Sequence, residues 1–498
     1  MSLYAYLVAG LLALIALWKK FTQGKSTLPL PPGPPKRPLV GNLFQMPSTS
    51  EWETYTEWSK TYDSDIIHLD AAGTSIIVLS SAKATGDLLE KRSSIYSDRP
   101  RFPMVVELMG WNFDSGEQWR KHRRLFHEAF NADASRNYEA IEQKACRELL
   151  RRLLQDPTDV MVHVRHMAGE IIMAVAYGII ILPQNDPYIV LARDAMYALS
   201  IASIPGRFLV DTFPLLKYIP DWFPGAGFKR KAREWRKLGR ATVDLPFVEV
   251  KHKITAGNAS PSFISTALDT IDTNAPDRGQ QEQMVKEVAG TMYGAGADTT
   301  VSALGTFFLA ILSNPEAQKK AQMEIDAVVG NERLPDFGDR ESLPYVFALV
   351  QEVLRWRNVT PIAIPHSLSV EDTYKGYRLP AGSIAVYPEP FAFKPERFLL
   401  NGKPNPAVPG PGAAFGFGRR ICPGKHLASS SLWIAAVSAL ATFDITKAVR
   451  EDGQIIEPTY EYLPGLVSMP FPFKCSIKPR SQRAAELIQA MIDDDLHN

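Results

Sequence analysis

The chain has only three cysteines among its 498 residues, Cys146, Cys422 and Cys475. Three thiols do not make a disulfide framework, and such a count fits a reducing compartment, for example the cytosolic face of a membrane. The net charge is +1 at pH 7, so the bulk charge does not indicate nucleic-acid binding. No Ser/Gly-rich linker, internal repeat or acidic tail divides the sequence. These absences favour one large domain over a string of small ones.

The N-terminus contains a long apolar run, LYAYLVAGLLALIALW at residues 3–18, which Lys19 and Lys20 close. The run is somewhat short of the ~20 residues that span a bilayer. A secretory signal peptide would carry its basic residues before the run. Here they follow it, and the positive-inside rule then keeps the body in the cytosol. We predict a transmembrane anchor over residues 1–20 and a stiff, proline-rich hinge over residues 21–36.

Residues 37–498 are predicted to form a single large domain that is mainly α-helical with a minor β-sheet. Short β-like runs lie between Ser64 and Ser80, helical periodicity dominates residues 82–312, and residues 374–383 resemble a hairpin. A basic stretch, GFKRKAREWRK at residues 227–237, is compatible with a solvated helix face and equally with contact to a membrane surface.

A glycine-rich segment surrounds the second cysteine: AAFGFGRRICPGKHLA, residues 413–428. Glycines let a backbone approach a flat ligand, and a cysteine at a helix start is favoured as a thiolate by backbone N–H groups. Arg420 adds a positive charge that can meet a carboxylate. No second cysteine or paired histidine lies at ligand spacing, which excludes a local zinc site. The competing interpretation is a small buried cysteine beside a glycine turn.

The sequence GTMYGAGADTT, residues 290–300, interrupts a long apolar helical run. Gly294 and Gly296 each weaken a helix interior by roughly 1 kcal/mol, and such a defect can open a groove beside a ligand. Asp298 and Thr299 then supply an acid and a hydroxyl for proton delivery. Asp and Thr also favour helix N-caps, but the apolar residues on both sides argue against a helix start here.

Three further motifs are weak when taken alone. Glu352 and Arg355 lie at i, i+3 on one predicted helix face, and the sequence PERF at 395–398 contains Arg397. Trp119 and Arg123 lie one helical turn apart. Such surface pairs are common and contribute little by themselves.

In combination these motifs resemble the signatures of the cytochromes P-450, in the family's order: W-x-x-x-R, A-G-x-D/E-T, E-x-x-R, P-E-R-F and F-x-x-G-x-R-x-C-x-G. The resemblance implies the cytochrome P-450 fold behind the anchor. It also implies heme b (iron protoporphyrin IX), with the Cys422 thiolate as the axial iron ligand. The residues that it places against the haem are Trp119, Arg123, Phe415, Gly418, Arg420, Cys422 and Gly424.

The implied activity is that of a haem-thiolate monooxygenase. A thiolate ligand favours O–O cleavage, and one oxygen atom from O2 would enter a hydrophobic small molecule, with electrons from NADPH through NADPH-cytochrome P-450 reductase. Asp298 and Thr299 would deliver protons, while Glu352, Arg355 and Arg397 would lock the haem-side core. The expected location is the endoplasmic reticulum membrane, with a single pass and a cytosolic catalytic domain.

The likeness is greatest to fungal membrane-bound members of the O-methylsterigmatocystin oxidoreductase-like group. It suggests a secondary-metabolite substrate such as a terpenoid or polyketide intermediate. Apolar pocket walls are expected at Val359–Pro365 and Met292–Ala295. Two alternatives stay open: a haem-thiolate enzyme that needs no reductase, and a catalytically impaired haem or ligand binder.

The second alternative arises because two stretches are shorter than the family's pattern. About a dozen residues, roughly a strand with its turn, are expected to be absent after Ala385. A smaller loss is expected between Asn112 and Gln118. A missing sheet strand would leave backbone donors and acceptors unpaired unless another segment replaced it.

Overall fold

The computed structural model describes residues 28–47, 49–111, 116–204, 206–386, 393–408 and 410–497. The predicted anchor, residues 1–20, and the first part of the hinge lie outside these residues. The described residues divide into two compact units. The first consists of the residues up to 100 together with residues 365–386, and the second contains the remainder.

The first unit contains most of the β-structure. Its elements are α1 (Glu51–Thr61), β1 (Ile66–Ala71), β2 (Thr74–Leu79), α2 (Ala82–Thr85), β3 (His366–Ser367), β4 (Asp372–Tyr374), β5 (Tyr377–Leu379) and β6 (Ile384–Val386). Four strands form a sheet in the order β1-β2-β6-β3. The pairs β1–β2 and β6–β3 are antiparallel, and β2–β6 is parallel.

Two tight turns set the strand pairing in this unit. Ala72 and Gly73 join β1 to β2 with φ of 50° and 94°, and Lys375 and Gly376 join β4 to β5 with φ of 51° and 79°. Two central residues with positive φ are typical of hairpin turns that match the twist of the strands. The predictions of β-structure between Ser64 and Ser80 and of a hairpin near residues 374–383 are confirmed.

The second unit is predominantly helical. Its helices are α3 (Gly116–Phe130), α4 (Ala132–Arg136), α5 (Glu139–Gln155), α6 (Val160–Tyr177), α7 (Pro187–Ala202), α8 (Leu209–Thr212), α9 (Gly227–Thr255), α10 (Phe263–Asp269), α11 (Arg278–Ser313), α12 (Pro315–Val328), α13 (Pro344–Trp356), α14 (Lys425–Thr442) and α15 (Gln482–His497). Its strands are β7 (Leu399–Leu400), β8 (Lys403–Pro404), β9 (Phe443–Lys447) and β10 (Cys475–Pro479). The predicted helix after Cys422 is α14.

Helix α11 forms the centre of the second unit, with α5, α6, α13 and α14 contributing to the same hydrophobic core. It is apolar on nearly every face, as expected of a helix surrounded by protein. Phe307 and Phe308 on α11 and Trp433 on α14 are almost fully buried. Among the described residues, α11 is the one helix long and apolar enough to cross a membrane. Most of its apolar stretch is buried within the unit, which identifies it as a core helix.

Local sequence signals define the ends of the helices beside α11. The Asp186 side chain accepts hydrogen bonds from the backbone N–H groups of Tyr188 and Ile189, and Pro187 occupies the first turn of α7. Gly178 ends α6 with φ of 63°, a left-handed conformation that glycine adopts without strain. These ends hold α6 and α7 beside α11.

Candidate active site

The Cys422 loop is shaped by backbone geometry as its glycines predict. Gly416 and Gly418 have φ of 81° and 52°, and the Cys422 backbone N–H donates to the Phe415 carbonyl at 2.7 Å. Gly424 has φ of −84°, and a Cβ there would meet no atom within 4 Å. The glycine at 424 is therefore required neither by its conformation nor by protein packing, and it leaves open space beside the cysteine.

Burial raises the pKa of the Cys422 thiol above its ordinary value. The Gly424 N–H, Arg123 and Lys425 act in the opposite direction, but more weakly. The helix start acts as expected, because the Gly424 N–H favours the thiolate, but desolvation of the sulfur outweighs it and the nearby positive groups. Coordination to a metal cation would deprotonate the thiol outright.

Helix α3 brings its aromatic and basic residues to this loop. Arg123 is half-buried close enough to Cys422 to interact with it electrostatically, and burial lowers the pKa of its guanidinium. The Arg420 guanidinium lies 4.1 Å from the centre of the Trp119 ring, within cation–π range. The two predicted motifs, distant in sequence, thus form one positively charged site beside the cysteine.

Between Val288 and Leu312, helix α11 is mostly buried but presents an accessible strip that includes Ala295 and Thr299. Ala295 is exposed and Thr299, one turn later, is half-buried. The Thr299 hydroxyl donates to the Ala295 carbonyl at 2.6 Å. Met292 belongs to the hydrophobic core, whereas Ala295 lies on the accessible strip. The expected pocket wall at Met292–Ala295 stays a prediction.

Asp298 has a partner that sequence analysis did not identify. Its carboxylate is buried and forms an ion pair with Arg165 of α6, whose guanidinium also contacts the Met469 sulfur at 3.2 Å. Burial raises the pKa of Asp298, while Arg165 acts to lower it. The carboxyl is thus held by α6 and is not a free acid on the accessible strip. An arginine within the apolar sequence of α6 was the available signal, because buried cations are normally paired.

Most glycines of α11 serve helix packing. A Cβ at Gly290 would lie 2.7 Å from Val243 of α9, and one at Gly296 would lie 2.9 Å from Ile172 of α6. The expectation that Gly296 opens a groove beside a ligand is therefore wrong, because a neighbouring helix fills the space. Gly294 differs: its nearest neighbours, Met196 and Trp111, would lie at ordinary contact distances of 3.6 and 3.9 Å.

Glu352 contacts the other two residues predicted to lock the core, Arg355 and Arg397. It is fully buried, and its carboxylate accepts two hydrogen bonds from Arg355 at 2.8 Å and one from Arg397 at 3.0 Å. The Lys394 backbone N–H donates to the same carboxylate. This network connects α13 to the turn at 395–398, an arrangement that suits the structural role predicted for it.

The first residue of the expected pocket wall at Val359–Pro365 is hydrogen-bonded to the C-terminal part of the chain. The Val359 carbonyl accepts a hydrogen bond from the Ser468 N–H at 2.8 Å. Ser302 of α11 donates to the Ser468 carbonyl at 2.6 Å. These two bonds hold residues near 359 and 468 beside α11.

Comparisons with known proteins agree with this arrangement. A family model described as Cytochrome P450 matches residues 31–476. A cytochrome P450 monooxygenase of Armillaria gallica is 45% identical over 495 residues, covering 95% of this chain and 97% of the relative. Cytochrome P450 monooxygenase 98 of Postia placenta is 46% identical over 490 residues, covering 94% of each chain. Tryptamine 4-monooxygenase of Psilocybe cyanescens is 42% identical over 475 residues, covering 91% and 93%.

Each of these alignments has more positions than the number of residues that it covers in this chain. The 495 positions aligned with the Armillaria relative take up 95% of 498 residues, or about 473, so about 22 positions of the relative have no counterpart here. The Psilocybe alignment has 475 positions but covers 91% of this chain, or about 453 residues, so a similar number of positions has no counterpart here. The number of positions without a counterpart is similar to the number of residues expected to be lost after Ala385 and between Asn112 and Gln118. Both places adjoin residues outside those described, 387–392 and 112–115.

Proposed function

We propose, from the premise that this chain belongs to the cytochrome P450 family, that it is a membrane-bound monooxygenase that oxidises a hydrophobic small molecule. Membership follows from the family model over residues 31–476 and from relatives at 42–46% identity. The predicted fold class, mainly α with a minor β-sheet, and the predicted enzyme class are thereby confirmed. The observation that carries the proposal is the half-buried Cys422 thiol in its glycine-shaped loop beside Arg123.

The residues present fit a haem. A thiol of suitable chemistry lies on the loop, Gly424 leaves open space beside it, and Arg123 and Arg420 supply cations for carboxylates. In this proposal Cys422 ligates the iron, Arg123 and Arg420 bind the propionates, and Trp119 supports Arg420. Haem bound there supplies the chemistry of oxygen activation.

The protein's own residues would control water and protons on the substrate side. The Thr299 hydroxyl lies on the accessible strip of α11 and donates to the Ala295 carbonyl. In this proposal it leaves that bond to donate a proton to a bound ligand. Asp298 lies next to it but is paired with Arg165. Its proposed role is therefore to accept and return protons when that ion pair opens, with Thr299 as the group that meets the ligand.

The proposed electron donor is an NADPH-cytochrome P450 reductase. Arg120, Lys121 and Arg124 of α3 are exposed, and so is Arg419 of the cysteine loop. They form a positive surface, named here the α3 surface, on a chain whose net charge is only +1. A local positive field favours rapid encounter with an acidic flavoprotein.

The proposed membrane is that of the endoplasmic reticulum, with residues 1–20 as the anchor and the body in the cytosol. A second feature supports membrane contact. Leu215, Tyr218 and Trp222, between α8 and α9, have exposed fractions of 72–80%. Exposed basic residues begin the next helix: Arg230, Lys231, Arg236 and Lys237. Apolar and aromatic side chains beside cations are typical of interfacial segments, which favours the membrane interpretation of the basic stretch at 227–237.

The proposed substrate is a secondary metabolite, a terpenoid or polyketide intermediate. The resemblance to the O-methylsterigmatocystin oxidoreductase-like group supports this class. One relative is named for action on tryptamine, a small molecule of a different class.

The deciding experiment is a reduced carbon monoxide difference spectrum of the purified full chain. Wild type should show the thiolate-type Soret band, and Cys422→Ala should abolish it, while Cys146→Ala and Cys475→Ala keep it. A band that survives Cys422→Ala and disappears with either other variant would show that the ligand is misassigned.

Two further assays separate the alternatives. Turnover with NADPH and reductase supports the monooxygenase. Turnover with peroxide in the absence of any turnover with NADPH and reductase supports the reductase-independent enzyme. A normal carbon monoxide spectrum with no turnover in either assay supports the impaired binder.

A further inference from the structure

A short loop of the first unit presents two apolar side chains to solvent. It comprises residues 37–45, directly after the proline-rich hinge, and is named here the Leu39 loop. Leu39 is 52% exposed, and Phe44, in the turn Leu43–Gln45, is 73% exposed. Leu39 also has φ of 66°, a left-handed conformation that a residue with a Cβ adopts only at a cost. Neither burial nor backbone preference therefore explains the leucine at this position.

Hydrogen bonds fix the Leu39 loop to strand β1. The Arg37 N–H donates to the Gly41 carbonyl and the Gly41 N–H to the Arg37 carbonyl, both at 2.9 Å. A Cβ on Gly41 would lie 2.2 Å from the Asp70 carbonyl oxygen, so glycine permits this close approach to β1. The buried Asn42 side chain accepts a hydrogen bond from the Asp70 N–H at 2.9 Å and donates to the Pro34 carbonyl at 3.1 Å. The sheet thus holds the loop in one position, with its apolar side chains exposed.

The loop also lies within reach of the predicted membrane anchor. Residue 28, the first that the structure describes, comes eight positions after the end of that anchor at residue 20. Eight positions span about 29 Å at most. The hinge then binds to the sheet, because the Pro32 carbonyl accepts a hydrogen bond from the His68 N–H of β1 at 2.9 Å. An anchored chain therefore keeps the first unit close to the bilayer.

The charges beside Leu39 suit an anionic lipid surface. Lys36 and Arg37 are both exposed and precede it by three and two positions. Lys36 also interacts with Asp70 of β1, which leaves Arg37 as the nearest cation in the sequence. Cations beside apolar side chains are typical of segments that lie at a bilayer surface. The anchor brings such a surface to this loop, and for that reason a lipid is favoured over a protein partner.

We propose that the Leu39 loop inserts Leu39 and Phe44 into the lipid surface, with Arg37 at the level of the headgroups. This inference rests on the proposed membrane anchor and goes beyond it, because it assigns a lipid contact to the folded part of the first unit. A contact of this kind restricts the rotation of the first unit about its anchor. It also accounts for an exposed leucine that is held in a left-handed conformation.

The experiment places a photoreactive side chain on the loop of the full chain. Phe44→p-benzoylphenylalanine is reconstituted into vesicles of phosphatidylcholine and phosphatidylserine and irradiated, and its intact mass is measured. We expect an adduct with the mass of one phospholipid. Adding Leu39→Asn, which tolerates the left-handed conformation, should lower the adduct yield about tenfold, the effect of withdrawing one leucine side chain from an apolar phase. The reduced carbon monoxide band should stay unchanged, as a check on folding.

Val370→p-benzoylphenylalanine is the matched control, because Val370 is 50% exposed in the same unit but follows β3, at the opposite edge of the sheet from β1. It should give little lipid adduct. Equal lipid adducts at 44 and 370, a protein adduct at 44 in place of the lipid adduct, or an unchanged yield with Leu39→Asn would each overturn the inference.

Extraction of the vesicles at high pH tests the proposed anchor separately. A chain that stays in the vesicles but gives no lipid adduct at 44 contradicts the Leu39 loop contact alone. A chain that is released contradicts the anchor, and this inference with it.

Discussion

Asp298 and Thr299 are adjacent on α11, but their side chains have different surroundings. Thr299 lies on the accessible strip and bonds to the Ala295 carbonyl, whereas Asp298 is buried against Arg165 of α6. Successive helix residues differ in direction by 100°, so adjacent groups can face a ligand and a neighbouring helix. The two residues therefore call for separate tests.

Thr299→Ala removes the hydroxyl on the accessible strip. Substrate binding should change little, while a larger share of NADPH electrons should end in peroxide or water, because proton delivery is misdirected. The measurement is the ratio of product to NADPH consumed. Thr300→Ala is the control, since Thr300 is also half-buried but points in another direction. Unchanged coupling in Thr299→Ala would contradict the proposed role.

Arg165→Met removes the cation from the buried ion pair. An unpaired carboxylate then remains at Asp298, and we expect a loss of about 3 kcal/mol in the free energy of unfolding. The double variant Arg165→Met with Asp298→Asn should recover most of that loss, since it leaves no buried charge. Thermal unfolding of the four proteins gives the coupling energy. Additive effects would show that the two side chains are energetically independent.

At the scale of elements, buried carboxylates join helices that are distant in sequence. Glu352 connects α13 to the turn at 395–398 through two arginines. Glu142 connects α5 to α14 through hydroxyls only: Ser430 donates at 2.7 Å and Ser431 at 2.5 Å. Within the part of the chain that the structure describes, no ion pair holds Glu142. The helix that follows Cys422 is thus attached to α5 by a carboxyl that hydroxyl groups, not an ion pair, hold among the described residues.

Burial raises the pKa of Glu142 to about 8, with Ser431 and Ser430 acting to lower it, Glu139 to raise it and Arg340 to lower it. The folded protein therefore keeps a proton that the unfolded chain releases above about pH 4.3. The free energy of unfolding should fall as pH rises from about 5 to 8, by at most about 1.4 kcal/mol per pH unit.

Glu142→Gln tests this linkage, because glutamine stays neutral at every pH. The difference in apparent Tm between pH 5.5 and pH 8 should be smaller in the variant than in wild type. Glu139→Gln is the control from the same helix, since Glu139 is half-buried and is not hydrogen-bonded to Ser430 or Ser431. A parallel decline in wild type and Glu142→Gln would contradict the assignment.

At the scale of the whole molecule, charge is nearly balanced but unevenly placed. The exposed cations of the α3 surface lie near the cysteine loop, and Lys121 has one weak partner, Glu117, at 3.6 Å. Exposed ion pairs of this kind contribute little to stability. These charges are thus available for a partner.

Charge reversal of Lys121 and Arg124 to Glu should slow reduction by the reductase, most strongly at low salt, where screening is weakest. Turnover with added peroxide should not change. Lys319→Glu on α12 is the control, because Lys319 is similarly exposed and also pairs with a glutamate on its own helix. Equal losses in both assays would show that the two residues support haem binding or folding. No loss in either would exclude this docking surface.

The shortening of this chain relative to its family also concerns the whole molecule. The strand that precedes the expected loss, β6, is present and pairs with both β2 and β3. The described sheet thus has no gap at that position, although about 22 positions of the relatives have no counterpart in this chain. Loss of a whole strand would interrupt a ladder of backbone hydrogen bonds, and the four described strands form a continuous one.

Sequence by itself determined the features that depend on short-range chemistry. The glycines around Cys422, the β1–β2 strands, the β4–β5 hairpin and the apolar length of α11 are all determined by neighbours within a few residues, because dihedral preference and periodicity act locally. The order of the motifs along the chain indicated the family. The sequence also indicated which residues carry charge in the loop beside the cysteine.

Only the tertiary structure decided which partner each group meets. Arg165 reaches Asp298 from 133 positions away, the glycines of α11 accept side chains from α6 and α9, and the Trp111 ring lies between α9 and α11. Burial raises the pKa of the Cys422 thiol more than the backbone N–H at the helix start lowers it. Each of these depends on the packing of distant helices, since desolvation and long-range pairing have no local signature in the sequence.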